Sequence, residues 1–87
     1  MRSMVKLQVY VKEDCWTCAE SRRIVAEIAP QFPQISVELI DMEAPDRPQD
    51  VFAAPTYVLD GRIISMGNPY RHDLRRELGE ALTRHQI

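Results

Sequence analysis

Two cysteines stand three positions apart in Cys15-Trp16-Thr17-Cys18, and the chain of 87 residues has no others. A thiol attacks only as its thiolate, so the chemistry of this pair depends on what surrounds the sulfurs. The pair follows the alternating run Val5-Lys6-Leu7-Gln8-Val9-Tyr10-Val11 and opens a stretch of helical spacing, which places it where a strand hands over to a helix. The first turn of a helix has backbone N–H groups without intrahelical partners and carries the positive end of the helix dipole; both favour an anion. Cysteines so placed, above all in C-x-x-C spacing, have pKa values lowered from about 8.5 to roughly 3.5–7.5. On this reading Cys15 is the attacking thiol. Cys18, one turn further in and on the apolar side, is the more buried and resolves a mixed disulfide by attacking Cys15. A bridge between them closes almost no loop and stabilises little. Two other readings stay open: the cysteines fill core space as reduced thiols, or two copies pool four thiolates around zinc or an iron–sulfur cluster. One chain supplies only half of such a metal site, because His72 and His85 lie thirteen residues apart, without metal-like spacing and without a second C-x-x-C.

The elements that must position the pair follow from periodicity. Residues 5–11 read as a strand, Lys12-Glu13-Asp14 as a polar loop, and Cys18, Ile24, Val25, Ile28 and Ala29 as the apolar stripe of a helix from about Cys15 to Ala29, ended by Pro30. Residues 31–34 turn, and residues 35–40 alternate again as a second strand. Strand, helix and strand in so short a span imply a right-handed βαβ unit with parallel strands. Residues 41–55 hold Pro45, Pro48 and Pro55 among acidic residues and read as a loop with at most a short helix near Pro48–Phe52. Asp60-Gly61 joins residues 56–59 and 62–66 as a two-residue hairpin. Gly67 then breaks the strand, Asn68 is read as an N-cap, and Pro69 opens a helix running to about Arg84. Its apolar face is Tyr70, Leu74, Leu78, Ala81 and Leu82; Arg71, Arg75, Arg76 and Glu80 form a solvated face. The expected architecture is an α/β sandwich of minimal size, β-α-β-β-β-α, with a four-stranded mixed sheet.

Composition narrows the partners. One domain spanning residues 1–87 is expected at this length, and 45% apolar residues suffice for a core. A net charge of −2 provides no basic excess for a nucleic-acid backbone. The acidic middle, with Glu38, Asp41, Glu43, Asp46 and Asp50, reads as solvated loop and strand edge. No secretory leader pattern precedes the first strand, and no stretch approaches the about 18 apolar residues of a membrane span. The default location is the cytoplasm, where thiols are kept reduced.

Taken together, Cys15-Trp16-Thr17-Cys18 at the strand–helix junction, Ala54-Pro55-Thr56 entering a later strand, and the Asp60-Gly61 hairpin resemble the thioredoxin/glutaredoxin superfamily from Val5 to about Arg84. The resemblance implies a thioredoxin-like fold of glutaredoxin size. It implies a thiol–disulfide oxidoreductase whose catalytic residues are Cys15 and Cys18, with no cofactor beyond their redox-active disulfide. It makes Pro55 a cis-proline against that disulfide and leaves the Ala54 backbone to pair with an extended substrate segment, so Trp16, Thr17, Ala54, Pro55, Thr56 and Lys12 are the implied substrate-binding residues. The implied partners are a protein or small-molecule disulfide and a reductant, either a flavoprotein reductase or glutathione, serving a monomer that needs neither nucleic acid nor membrane.

The departures from the family pattern are specific. No proline lies between the cysteines. Val9 stands where thioredoxins keep a buried carboxylate as proton acceptor, which leaves water or Glu13 as the base for Cys18. Of the glutathione-binding features of glutaredoxins, Lys12 fits the basic residue, Ala53-Ala54 misses the threonine-valine, and Gly67-Asn68 fits the glycine-rich turn in part. Lys12 either holds the Cys15 thiolate by charge or is simply solvated. Asp14 raises the Cys15 pKa unless it turns away to cap the helix. Trp16 is an exposed platform or packs over the sheet edge. A non-catalytic module of the same fold, docking partners through Trp16, Pro55 and the arginines of the last helix, is the alternative from another functional class.

Overall fold

In the computed structural model, which describes residues 5–84, the first alternating run becomes strand β1, Lys6–Val11. Helix α1, Trp16–Ile28, follows, and a single 3-10 turn, Ala29–Gln31, takes in Pro30, which provides no N–H to continue the α-helix. Strand β2, Ser36–Asp41, then lies parallel to β1 in register from Lys6 opposite Ser36 to Val11 opposite Asp41. Strands β3, Thr56–Leu59, and β4, Arg62–Met66, form the hairpin, and helix α2, Arg71–Arg84, closes the described part of the chain. The sheet order is β2-β1-β3-β4, with β3 antiparallel to β1 and to β4. At the hairpin both Asp60 (φ 50°) and Gly61 (φ 83°) take positive φ, the geometry that Asp-Gly favours between twisted strands.

Alternation along the strands sorts the core onto two faces. Leu7, Val9 and Val11 of β1 join Tyr57 and Leu59 of β3 on the face that receives Cys18, Ile24 and Ile28 of α1 and Leu74, Leu78 and Ala81 of α2. Both helices therefore share one face. On the other, Tyr10 and Val58 pack with Val51, flanked by Ile40, Met42 and Ile63. The cover on that side is the loop between β2 and β3, drawn in by the buried Val51 and held by Arg47, whose guanidinium donates to the carbonyls of Met42 (2.9 Å) and Val51.

Residues 42–55 form the expected loop without a helix: near Pro48–Phe52 it closes one turn, Val51 N–H to Pro48 O at 3.1 Å, and helical continuation from the Val51 carbonyl would need an N–H at Pro55. Two local expectations are corrected. Helix α2 begins at Arg71 rather than Pro69, and its first bond runs from Leu74 N–H to Tyr70 O, so Asn68 does not cap it. Tyr70 is 76% exposed and lies off the apolar stripe, stacked on His72 with ring centroids 6.0 Å apart.

The arginines of α2 also behave differently from a plain solvated face. Arg71 bonds Glu27 at 2.9 Å and Glu20 at 3.3 Å, and Arg75 reaches Gln31 at 2.9 Å and Glu27 at 3.4 Å. Because both helices lie on one face of a narrow sheet, their polar flanks meet, and these side chains tie α2 to α1.

Candidate active site

Cys15 and Cys18 are joined by a disulfide with Cα atoms 5.1 Å apart. Cys15 lies just ahead of α1, in extended conformation (φ −115°, ψ 112°), and is its N-cap. The sulfur does what a serine or aspartate oxygen does at that position: it accepts the Cys18 N–H at 3.2 Å. A backbone donor in the first turn is thus directed at Cys15 Sγ, at the end of the helix that favours an anion. Asp14 takes no part in the cap; at φ 47° it forms the left-handed corner of the turn that delivers Cys15 to the helix.

The two sulfurs differ in access. Cys15 is partly exposed, and Cys18 is wholly buried among the residues of the helix-bearing face. Cys18 Sγ accepts the main-chain N–H of Lys12 at 3.4 Å, and Cys15 Sγ lies 3.5 Å from Thr17 Oγ1. Lys12 thus touches the site through its backbone, while its exposed side chain lines an open hollow with Glu13, Asp14, Asp41 and Glu43. A second hollow is lined by Asp14, Cys15, Trp16, Ala19 and Arg22. Trp16 does not pack over the sheet edge: it is 92% exposed, beside the disulfide.

Register brings the other expected residues alongside. Thr56 pairs with Tyr10 across the antiparallel strands, so the Ala53-Ala54-Pro55 turn reaches the sheet at the end of β1 from which the cysteines emerge. The Ala54–Pro55 bond is cis, and Ala54 packs against the same core cluster as Cys15. The buried Thr56 directs its hydroxyl inward to the Ala53 carbonyl (2.5 Å) and fixes that turn from behind. No carboxylate is buried among the described residues; Val9 is fully buried, and Glu13 is exposed in the loop after β1. Among the described residues no three His, Cys, Asp or Glu side chains cluster as metal ligands; His72 sits 3.3 Å from Asp73, and His85 lies outside the described residues.

Sequence reasoning missed a polar cluster behind the site. Asn68 Oδ1 accepts the hydroxyls of Ser21 (2.6 Å) and Tyr57 (2.8 Å), and Asn68 Nδ2 donates to the carbonyl of Thr17 (2.8 Å). Ser21 and Tyr57 are both fully buried, and burial pushes the Tyr57 pKa up, which keeps its hydroxyl a donor. A signal existed: Ser21 falls on the Cys18–Val25–Ile28 stripe of α1, and a hydroxyl on a buried stripe must find a partner.

No model of a known protein family matches the chain, and neither does any curated protein. Solved structures do match. Mitochondrial thioredoxin 3 of Saccharomyces cerevisiae in its oxidised form superposes with a TM-score of 0.74 at 21% identity, over 90% of this chain and 79% of that one. The thioredoxin of Fasciola hepatica gives 0.69 at 22% identity, over 97% and 83%. That of Trypanosoma brucei brucei gives 0.68 at 18% identity, over 94% and 78%. The chain therefore has the thioredoxin-like fold, an α/β four-stranded mixed sheet with two helices.

Proposed function

We propose that this protein is a small thiol–disulfide oxidoreductase that cycles between a Cys15/Cys18 dithiol and the disulfide. The observation that carries the reading is the asymmetric pair at the start of α1: Cys15 is the partly exposed N-cap receiving a backbone N–H, and Cys18 is buried one turn behind it. In the reducing direction the Cys15 thiolate attacks a substrate disulfide, forming a mixed disulfide and releasing one substrate thiolate. Cys18, once deprotonated, attacks Cys15 Sγ and releases the second. Two electrons and two protons pass to the substrate. A dithiol reductase of the flavoprotein type, or two molecules of glutathione, restores the pair. Its work is in a compartment that keeps thiols reduced, and it acts as a monomer.

Substrate is held by Trp16, Thr17 and the Ala54-Pro55 turn, with Thr56 bracing that turn and Lys12 at the rim of the hollow. An extended segment of the disulfide partner pairs with the Ala54 backbone. The solvent-exposed Glu13 or water takes the Cys18 proton, since no buried carboxylate stands near it among the described residues. The test is equilibration in glutathione buffers of graded oxidation, followed by thiol trapping and mass measurement. One reversible two-thiol transition to an intramolecular disulfide is expected. Two thiols that never pair across the whole range would overturn the reading.

A further inference from the structure

The cluster around Asn68 is joined to the reactive sulfur by a continuous line of hydrogen bonds. Tyr57 and Ser21 donate to Asn68 Oδ1, Asn68 Nδ2 donates to the Thr17 carbonyl at 2.8 Å, and the N–H on the other side of that same peptide group, Cys18 N–H, donates to Cys15 Sγ at 3.2 Å. The orientation of the amide is fixed by chemistry: the Thr17 carbonyl only accepts, so the nitrogen must face it, and the oxygen is left for two hydroxyl donors. A donor on a peptide carbonyl polarises the group and strengthens its N–H as a donor in turn.

From this geometry we propose that Asn68 is a positioning residue that sets the acidity and redox balance of Cys15 through the Thr17–Cys18 peptide. The inference rests on the oxidoreductase reading and adds to it the group that tunes the thiolate. Asn68 precedes α2 and touches neither sulfur, yet it links α1, β3 and the loop after β4 to the one peptide that faces the nucleophile. The interaction matters most in the reduced form, where Cys15 carries charge and a bond to it is charge-assisted. Weakening the line should therefore destabilise the thiolate more than the disulfide. The charged side chains around Cys15 are separate from it: Asp14 and Arg22 share its hollow, Lys12 and Glu13 line the next, and Glu20 and Arg23 flank Trp16 on α1. The Ala53-Ala54-Pro55 turn brings no charge.

The test compares wild type with Asn68→Ala and with Tyr57→Phe, which drops one hydroxyl donor and leaves the amide on Thr17. The readouts are the pH dependence of Cys15 alkylation and the disulfide equilibrium with glutathione. Cooperative strengthening of roughly 10–30% per bond in a charge-assisted contact predicts about a threefold rise in proton affinity of the Cys15 thiolate in Asn68→Ala. A matching shift of the equilibrium toward the protein disulfide should accompany it, and Tyr57→Phe should give a smaller change of the same sign. A purely structural role would lower the stability of oxidised and reduced protein equally and leave both readouts where they were, which overturns the proposal. If Asn68→Ala does not fold, Tyr57→Phe alone carries the comparison, because Ser21 Oγ also lies 3.2 Å from the Thr17 carbonyl and its removal would act on that peptide directly; unchanged readouts in Tyr57→Phe overturn the proposal equally. Failure of wild type itself to form a reversible disulfide would sink the oxidoreductase reading instead, so the two failures are distinct.

Discussion

Cys15 and Cys18 are bonded to each other yet differ in exposure, and the proposed division of roles rests on that asymmetry. Only Cys15 can be reached by a bulky disulfide, and only Cys18 sits behind it with a buried sulfur contacted by the Lys12 N–H. Replacing Cys15→Ser should abolish turnover of a small disulfide substrate, because no second thiol is reachable. Cys18→Ser should instead leave the first attack intact and accumulate a mixed disulfide at Cys15, seen by mass. Wild-type turnover in the Cys18 variant would contradict the resolving role. The cysteine pair was legible from its spacing, and the cis-proline at Pro55 only through the family resemblance that Ala54-Pro55-Thr56 helps to carry. Asn68 was not. An Asn-Pro pair has a strong local reading as a helix start, whereas its actual partners, Ser21 and Thr17, lie 47 and 51 positions away. Long-range pairing of that kind leaves only an indirect trace, the polar residue on an apolar stripe.

At the scale of elements, α1 and α2 are held to the sheet by apolar burial and to each other by charge. Leu78 is fully buried beneath α2, so Leu78→Ala should cost about 2–5 kcal/mol of unfolding free energy, measured by urea titration. The charged seam acts differently. Arg23 and Arg71 bond the Glu20 carboxylate and lower its pKa below the ordinary value of 4.5. A group whose folded pKa is depressed stabilises the fold above its unfolded value and loses that contribution as pH falls through the folded one. Stability should therefore decline on acidification through the glutamate range, and Arg71→Gln should remove part of that decline. Added salt should shrink the difference between the two proteins, because the groups are exposed; an identical pH profile for both would show that the seam does not couple the helices. The apolar stripe of α2, Leu74-Leu78-Ala81, was readable from its period, as were the hairpin and the βαβ order. The role of the arginines was not, because periodicity tells which flank is polar and says nothing of whether another polar flank adjoins it.

At the scale of the molecule, the sheet has an unequal pair of faces: two helices cover one, while a proline-rich loop pinned by Arg47 and Val51 covers the other. The disulfide joins Cys18, in the helix-bearing core, to the partly exposed Cys15 at the start of α1. A bridge across three positions closes a loop so short that the chain-entropy model gives it only about 2 kcal/mol. Each fully buried aliphatic side chain is worth about 1.5–3 kcal/mol, and Leu7, Val9, Ile24, Ile28, Leu59, Leu74 and Leu78 all reach that state. The core should therefore outlast the bridge. Reduced protein is expected to keep the far-ultraviolet circular dichroism of the oxidised form and a single cooperative urea transition, with a difference in unfolding free energy of no more than about 2 kcal/mol. That outcome is a physical requirement of the proposed cycle, since a disulfide that is made and broken at each turnover must not decide whether the chain is folded. Loss of cooperative unfolding on reduction would make Cys15–Cys18 a structural bond and remove the basis for treating it as a site of electron exchange.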